Sequence, residues 1–266
     1  MWSNSFRKMT YIFLYELRSI GVIAVFALEV FYFMKFLNTD CQLLGGTAAV
    51  TITGFLALVF SEQHFLTFML PLGITLGVNS LSRTRMIETM MYRNRDCWVI
   101  SLIKTGTFYV AIFYVSTVAL SIIMAWIFGI SFSAIELPND AMQFVIPGLL
   151  TSVETVDMLE LIFVNMGNVF FYCETIMMGY VFLWTIAGKR FVAILLEICA
   201  LFGMLIVIKT YVRGLYMWLP LGNVILDLST TKPNTEIHWI YWIALIGILF
   251  VLTILIHRKR SFYQDE

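Results

Sequence analysis

The sequence predicts an all-α polytopic membrane protein with six transmembrane helices, and three observations carry that expectation. The first is a scarcity of charge: 13% of the 266 residues are charged and 60% are hydrophobic, about half the charge of a typical soluble domain. Mean hydropathy is correspondingly high, at +0.87. The second is a series of apolar runs close to the ~20 residues that carry a helix across a hydrocarbon core. The third is the placement of the basic residues, which in a membrane protein says more than their balance with the acids.

Taken in order, residues 5 to 18, "SFRKMTYIFLYELR", form an amphipathic segment. It either lies in the membrane interface or is the front end of the first span, at about 19 to 37. The apolar region from 43 to 81 could cross twice, broken at "SEQH", or once, at about 64 to 81. Further spans are predicted at about 98 to 128, 158 to 187, 191 to 208 and 238 to 257. Pro71, Pro147 and Pro220 mark kinks or loop turns. No internal repeat or low-complexity linker divides the chain, so residues 1 to 266 read as a single transmembrane domain.

Charge settles the ambiguous region. If the N-terminus is cytoplasmic and 43 to 81 crosses once, Arg7, Lys8, Arg18, Arg83, Arg85, Arg93, Arg95 and Lys104 are cytoplasmic. So are Lys189, Arg190, Arg258, Lys259 and Arg260. Only Lys35, Lys209, Arg213 and Lys232 of the seventeen basic residues fall outside, a clear positive-inside distribution. Two crossings would erase it. The expectation is therefore six spans with both termini cytoplasmic in the plasma membrane, and with 43 to about 60 an external helix, a re-entrant piece or an extended lead-in. The tryptophans, among them Trp98, Trp126, Trp184, Trp218, Trp239 and Trp242, mostly fall near span ends, as an aromatic belt does.

The four cysteines are scattered, match no metal or redox spacing and read as single packing residues. No HExxH, GxSxG, paired-acid protease motif or phosphate loop is present, so neither catalysis nor metal binding is expected of this chain. His64, His238 and His257 are isolated near span ends. Intramembrane polar residues are expensive and for that reason often functional. Glu29, Asn165, Asn168, Glu174 and Glu197 are therefore candidates for a substrate path, with Glu160 close to the first asparagine. The competing reading makes them interhelical hydrogen bonds.

One stretch stands apart. "SLSRTRMIETMMYRNRDCWVISLIKTG", residues 80 to 106, gathers five basic residues between two apolar spans. At roughly 2.5 to 3.5 kcal/mol for each Arg at a helix centre, it cannot lie in lipid and is a cytoplasmic loop. Preceded by an amphipathic N-terminal segment, in a six-span chain of this length, it resembles the type-2 ABC-transporter permeases. That resemblance implies a coupling helix between spans 2 and 3 that docks on a separate ATPase. Arg83, Arg85, Met86, Ile87, Glu88, Met90, Met91, Arg93 and Arg95 would form it, methionines and isoleucine as an apolar anchor with charge around them. It further implies that residues 5 to 18 are an elbow helix and that 209 to 237 contain a re-entrant hairpin before the last span. The implied partners are an ABC ATPase in two copies carrying ATP and magnesium, a second permease chain, and membrane lipids; this chain itself would hold no cofactor and bind no nucleic acid. The function expected is export of a peptide or another amphipathic substrate. Two alternatives are a proton- or ion-coupled carrier using the intramembrane glutamates, and a non-transporting scaffold or toxin-immunity protein.

Overall fold

The structure, a computed structural model, describes residues 20–43, 52–61, 65–84, 95–130, 158–209, 218–224 and 239–259. Seven α-helices account for nearly all of them: α1 Ile20–Leu43, α2 Ile52–Ser61, α3 Leu70–Thr84, α4 Arg95–Ile127, α5 Met158–Ala187, α6 Arg190–Lys209 and α7 Trp239–Lys259. A π-helical segment, Phe65–Met69, leads directly into α3, and a short 3-10 turn, Leu221–Asn223, precedes α7. No strand occurs among the described residues. This is what an apolar environment demands, because a helix satisfies its own backbone where water cannot. Four helices are long and apolar enough to cross a membrane, through Val99–Ile127, Phe163–Ala187, Arg190–Val207 and Trp239–Lys259.

Helix α5 is the hub. It packs against α2, α3, α4, α6 and α7, and most of its apolar segment is buried, whereas α6 and α7 turn most of theirs outward. Paired contacts give the relative directions. Tyr109 and Phe113 of α4 meet Gly77 and Gly73 of α3 in reverse order. Tyr114 and Thr107 of α4 meet Met166 and Glu174 of α5, again reversed. Phe68 and Thr75 meet Phe202 and Glu197 of α6, also reversed. Helix α1 runs parallel to α4, with Phe26 against Phe113 and Glu29 against Thr117. Phe60, Leu66 and Asn79 descend along α5 past Asn165, Tyr172 and Tyr180, so α2, the π segment and α3 follow one direction. Trp242 of α7 sits beside Asn168, and α7 packs against α5. From α1 to α6, successive long elements therefore alternate in direction.

Two helix ends show how local sequence sets this course. Gly129 takes φ 74°, and its N–H reaches the Trp126 carbonyl while Ile130 N–H reaches that of Ala125, both at 3.0 Å. That is a Schellman cap, which the left-handed glycine permits. Gly188, at φ 73°, lets α5 end and α6 begin within two residues, a turn tight enough to force the two helices antiparallel.

The helices fall where the sequence expectation puts spans 1 and 3 to 6, with longer ends: α1 runs to Leu43 and α4 starts at Arg95. Residues 52–61 are helical rather than extended. The segment expected as the second span opens with π geometry, and Pro71 supplies a reason. In the i→i+5 register the Leu66 carbonyl is matched to residue 71, which has no N–H to give; the Tyr172 hydroxyl donates to it instead, at 3.1 Å. Trp242 departs from the aromatic-belt expectation. It is fully buried, because its indole N–H is used against α5 rather than at an interface. The elbow segment, Pro147 and most of 209 to 237 lie outside the described residues; Pro220 stands at the N-cap of the 3-10 turn.

Candidate functional site

Each intramembrane candidate takes part in a tie between helices. Thr117 of α4 donates to Glu29 of α1 at 3.1 Å, and Thr107, ten residues earlier on α4, donates to Glu174 of α5 at 3.2 Å (the two thereby holding α1 and α5 to one helix). Thr75 of α3 donates to Glu197 of α6 at 2.9 Å. Asn165 donates to the Phe60 carbonyl at 3.3 Å, in the last turn of α2, where helical carbonyls lack intrahelical donors. Asn168 accepts from the Trp242 indole at 3.0 Å. The five residues are buried but are distributed over five helix pairings rather than facing one cavity. Three of their atoms stay without a hydrogen-bond partner among the described residues: Asn165 Oδ1, Glu174 Oε1 and Glu197 Oε1. No Lys, Arg or His is buried among the described residues, and no cluster of His, Cys, Asp and Glu suited to a metal ion is found among them.

The threonines that complete these ties were not visible as candidates, because a lone Thr in an apolar run is common and carries no signal until its partner is known. Two further pairings were readable in principle. "GITLG" spaces Gly73 and Gly77 four apart in an apolar helix, the pattern of a close helix crossing; here the gap receives the rings of Phe113 and Tyr109. The Tyr109 hydroxyl then donates to the Gly73 carbonyl at 3.0 Å.

A groove of about 550 Å³ lies elsewhere, between α1 and α4. Ile23, Phe26, Ala27 and Val30 form one wall at i, i+3, i+4 and i+7, the spacing of a single helix face. The opposite wall repeats the spacing on α4 from Ser116 to Ile123, with Ala119 at its middle. Small side chains at Ala27, Ser116 and Ala119 keep the seam from closing, while Ile23 and Ile123 stand half exposed at its rim. The lining is almost entirely hydrocarbon, and the groove is wide open at the surface of the bundle.

The basic stretch is described only at its borders. Arg83 belongs to the last turn of α3 and Arg95 opens α4; Arg85, Met86, Ile87, Glu88, Met90, Met91 and Arg93 lie outside the described residues. The alternating course does place the α3 end, the α4 start and the α5–α6 turn at Gly188–Lys189 at one end of the bundle. Cys173 is buried and Cys199 exposed, both as free thiols. No protein-family model, curated protein or solved structure matches the chain.

Proposed function

We propose that the chain is the membrane-spanning permease subunit of an ABC exporter for a peptide or other amphipathic substrate, powered by a separate ATPase. The observation that carries this reading is the gathering of basic segments at one end of the bundle: Arg83 and Arg95 at the borders of the loop, and Lys189 and Arg190 at the turn; the reading assigns Arg258 and Lys259, in the last turn of α7, to the same side. In this reading six passes, the second made jointly by the π segment and α3, put that end in the cytoplasm of a cell whose plasma membrane holds the protein. The coupling helix is formed by residues 83 to 95 and docks on the ATPase through methionines and arginines. A second permease chain completes the path.

The test is a mild-detergent purification of the tagged native complex, alongside a triple variant Arg83→Glu, Met90→Glu, Arg93→Glu. An ATPase that accompanies the wild type and is absent from the variant supports the reading and locates the docking surface. Absence from both refutes it. A second reading, a proton- or ion-coupled carrier, is favoured by the three Glu–Thr ties, two with a free carboxyl oxygen. It predicts transport that is lost on neutralising Glu174 or Glu197 and indifferent to nucleotide.

A further inference from the structure

A line of polar side chains runs inward between α3, α5 and α6. It starts at Asn79, half-buried in the last part of α3, whose Oδ1 accepts from the buried Tyr180 hydroxyl of α5 at 3.2 Å. One turn further in, on the same face of α3, Thr75 donates to Glu197 of α6 at 2.9 Å. Side chains so spaced stand ~5 to 6 Å apart, a gap that one water molecule spans. Glu197 lies two turns into α6, about 10 Å from its start and about a third of the way through a hydrocarbon core. Its Oε2 takes the threonine bond; Oε1 is buried and has no hydrogen-bond partner among the described residues.

The described elements packed against Glu197 bring no charge to it. Helix α5 contributes Tyr172 and Tyr180, whose hydroxyls donate to Leu66 and Asn79. The π segment sets Phe68 against Phe202, and neither it, the Leu221–Asn223 turn nor Leu70–Asn79 of α3 contains an ionisable residue. On α6 itself the nearest cation is Arg190, two turns away, with its guanidinium 5.3 Å from the centre of the Trp184 ring.

We propose that Glu197 is a proton-binding site, its proton carried on Oε1 and exchanged with the basic end of the bundle along Thr75, Asn79 and Tyr180. A bare carboxylate at this depth would stand on one hydroxyl donor with no cation to compensate it, a costly state. A metal ion asks for more oxygens than this carboxyl and Thr75 supply, whereas a proton needs one. Of the three glutamates buried among the described residues, Glu29 has both oxygens occupied by Thr117. Glu174 draws on Thr107, which is exposed on α4. Glu197 is the one approached through the interior. The inference deepens the carrier reading by naming the ion, the acid and the end at which it loads. It rests on that reading for its part in transport only; proton exchange needs no substrate.

The experiment follows the carboxyl by infrared spectroscopy, with the full chain in nanodiscs. The difference between wild type and Glu197→Gln at neutral pH should contain the C=O stretch of a protonated acid, and that band should shift on transfer to heavy water. The shift should be at least about tenfold slower in an Asn79→Leu background, which removes the entry group, and slowed less in Tyr180→Phe. Thr67→Val, which deletes a buried hydroxyl toward the opposite end of α3, should leave the rate unchanged. If Glu197→Gln does not fold, the wild type alone serves: dicyclohexylcarbodiimide, which couples to protonated carboxyls within membranes, should label Glu197, and less as the pH is raised. Absence of the acid band, or of the label, overturns the proposal. So does a band whose exchange ignores both Asn79 and Tyr180, or is slowed by Thr67→Val instead, since the proton would then arrive by another route. Prompt exchange at Glu197 together with an ATPase that accompanies the wild type would set the carrier reading aside and leave the proton site standing. Transport lost in Glu197→Gln without any acid band would do the reverse.

Discussion

Gly77 and Gly73 each occupy a place where a methyl group would run into a ring, that of Tyr109 or Phe113. Those rings are themselves buried and stacked, with centroids 5.9 Å apart, so they have nowhere to retreat. Gly77→Ala should therefore destabilise the fold by about 1 to 3 kcal/mol, the usual cost of overpacking. Gly247→Ala, with open space around the added carbon, should leave stability unchanged or raise it slightly through helix propensity. Thermal unfolding of both variants in one detergent checks the contrast. The spacing of the glycines was legible in the sequence; the identity of what fills the gap was not, because Tyr109 and Phe113 lie on another helix.

Helical elements raise the question of how much the buried ties contribute. A tie such as Thr75–Glu197 looks strong on burial alone, yet interhelical hydrogen bonds within membranes average only about 0.6 kcal/mol, with a maximum near 1.7. A double-mutant cycle with Thr75→Val and Glu197→Gln should return a coupling energy in that range. A value near zero would mean that α6 is held by its Ala193 and Leu201 contacts instead. The π segment makes a sharper prediction. Tyr172→Phe should cost about 1 to 3 kcal/mol by leaving the Leu66 carbonyl without a donor. In a Pro71→Ala background the helix regains an N–H and the same substitution should cost much less. Equal costs in the two backgrounds would dissociate Tyr172 from the proline. Pro71 announced a kink from the sequence alone, but the donor that compensates for it comes from a different helix, a hundred positions away along the chain.

For the whole molecule the proposed six passes have a topological consequence. Single cysteines placed at Arg83, Lys189 and Lys259 in a background lacking Cys41, Cys97, Cys173 and Cys199 should all react with an impermeant maleimide from one side of the membrane only. One residue labelled from the opposite side would break the proposed six-pass arrangement. The central role of α5 predicts a further asymmetry. Polar substitutions along its Val169–Cys173–Ile176 face, all buried, should abolish folded protein, whereas matching ones at Leu195 or Leu252, which are exposed, should affect membrane insertion more than packing.

By itself the sequence determined the class of the protein and the positions of the long helices, because hydropathy acts locally and survives any arrangement of neighbours. It narrowed Glu29, Asn165, Asn168, Glu174 and Glu197 to two readings and could go no further. Only the tertiary structure decided that each is tied across a helix pair, that α5 is the hub, and that a groove opens between α1 and α4, lined by none of the five. Those outcomes depend on which faces of distant helices meet. A helix with apolar residues on every side carries no mark of the face that will be buried, since lipid and protein interior are equally apolar to it.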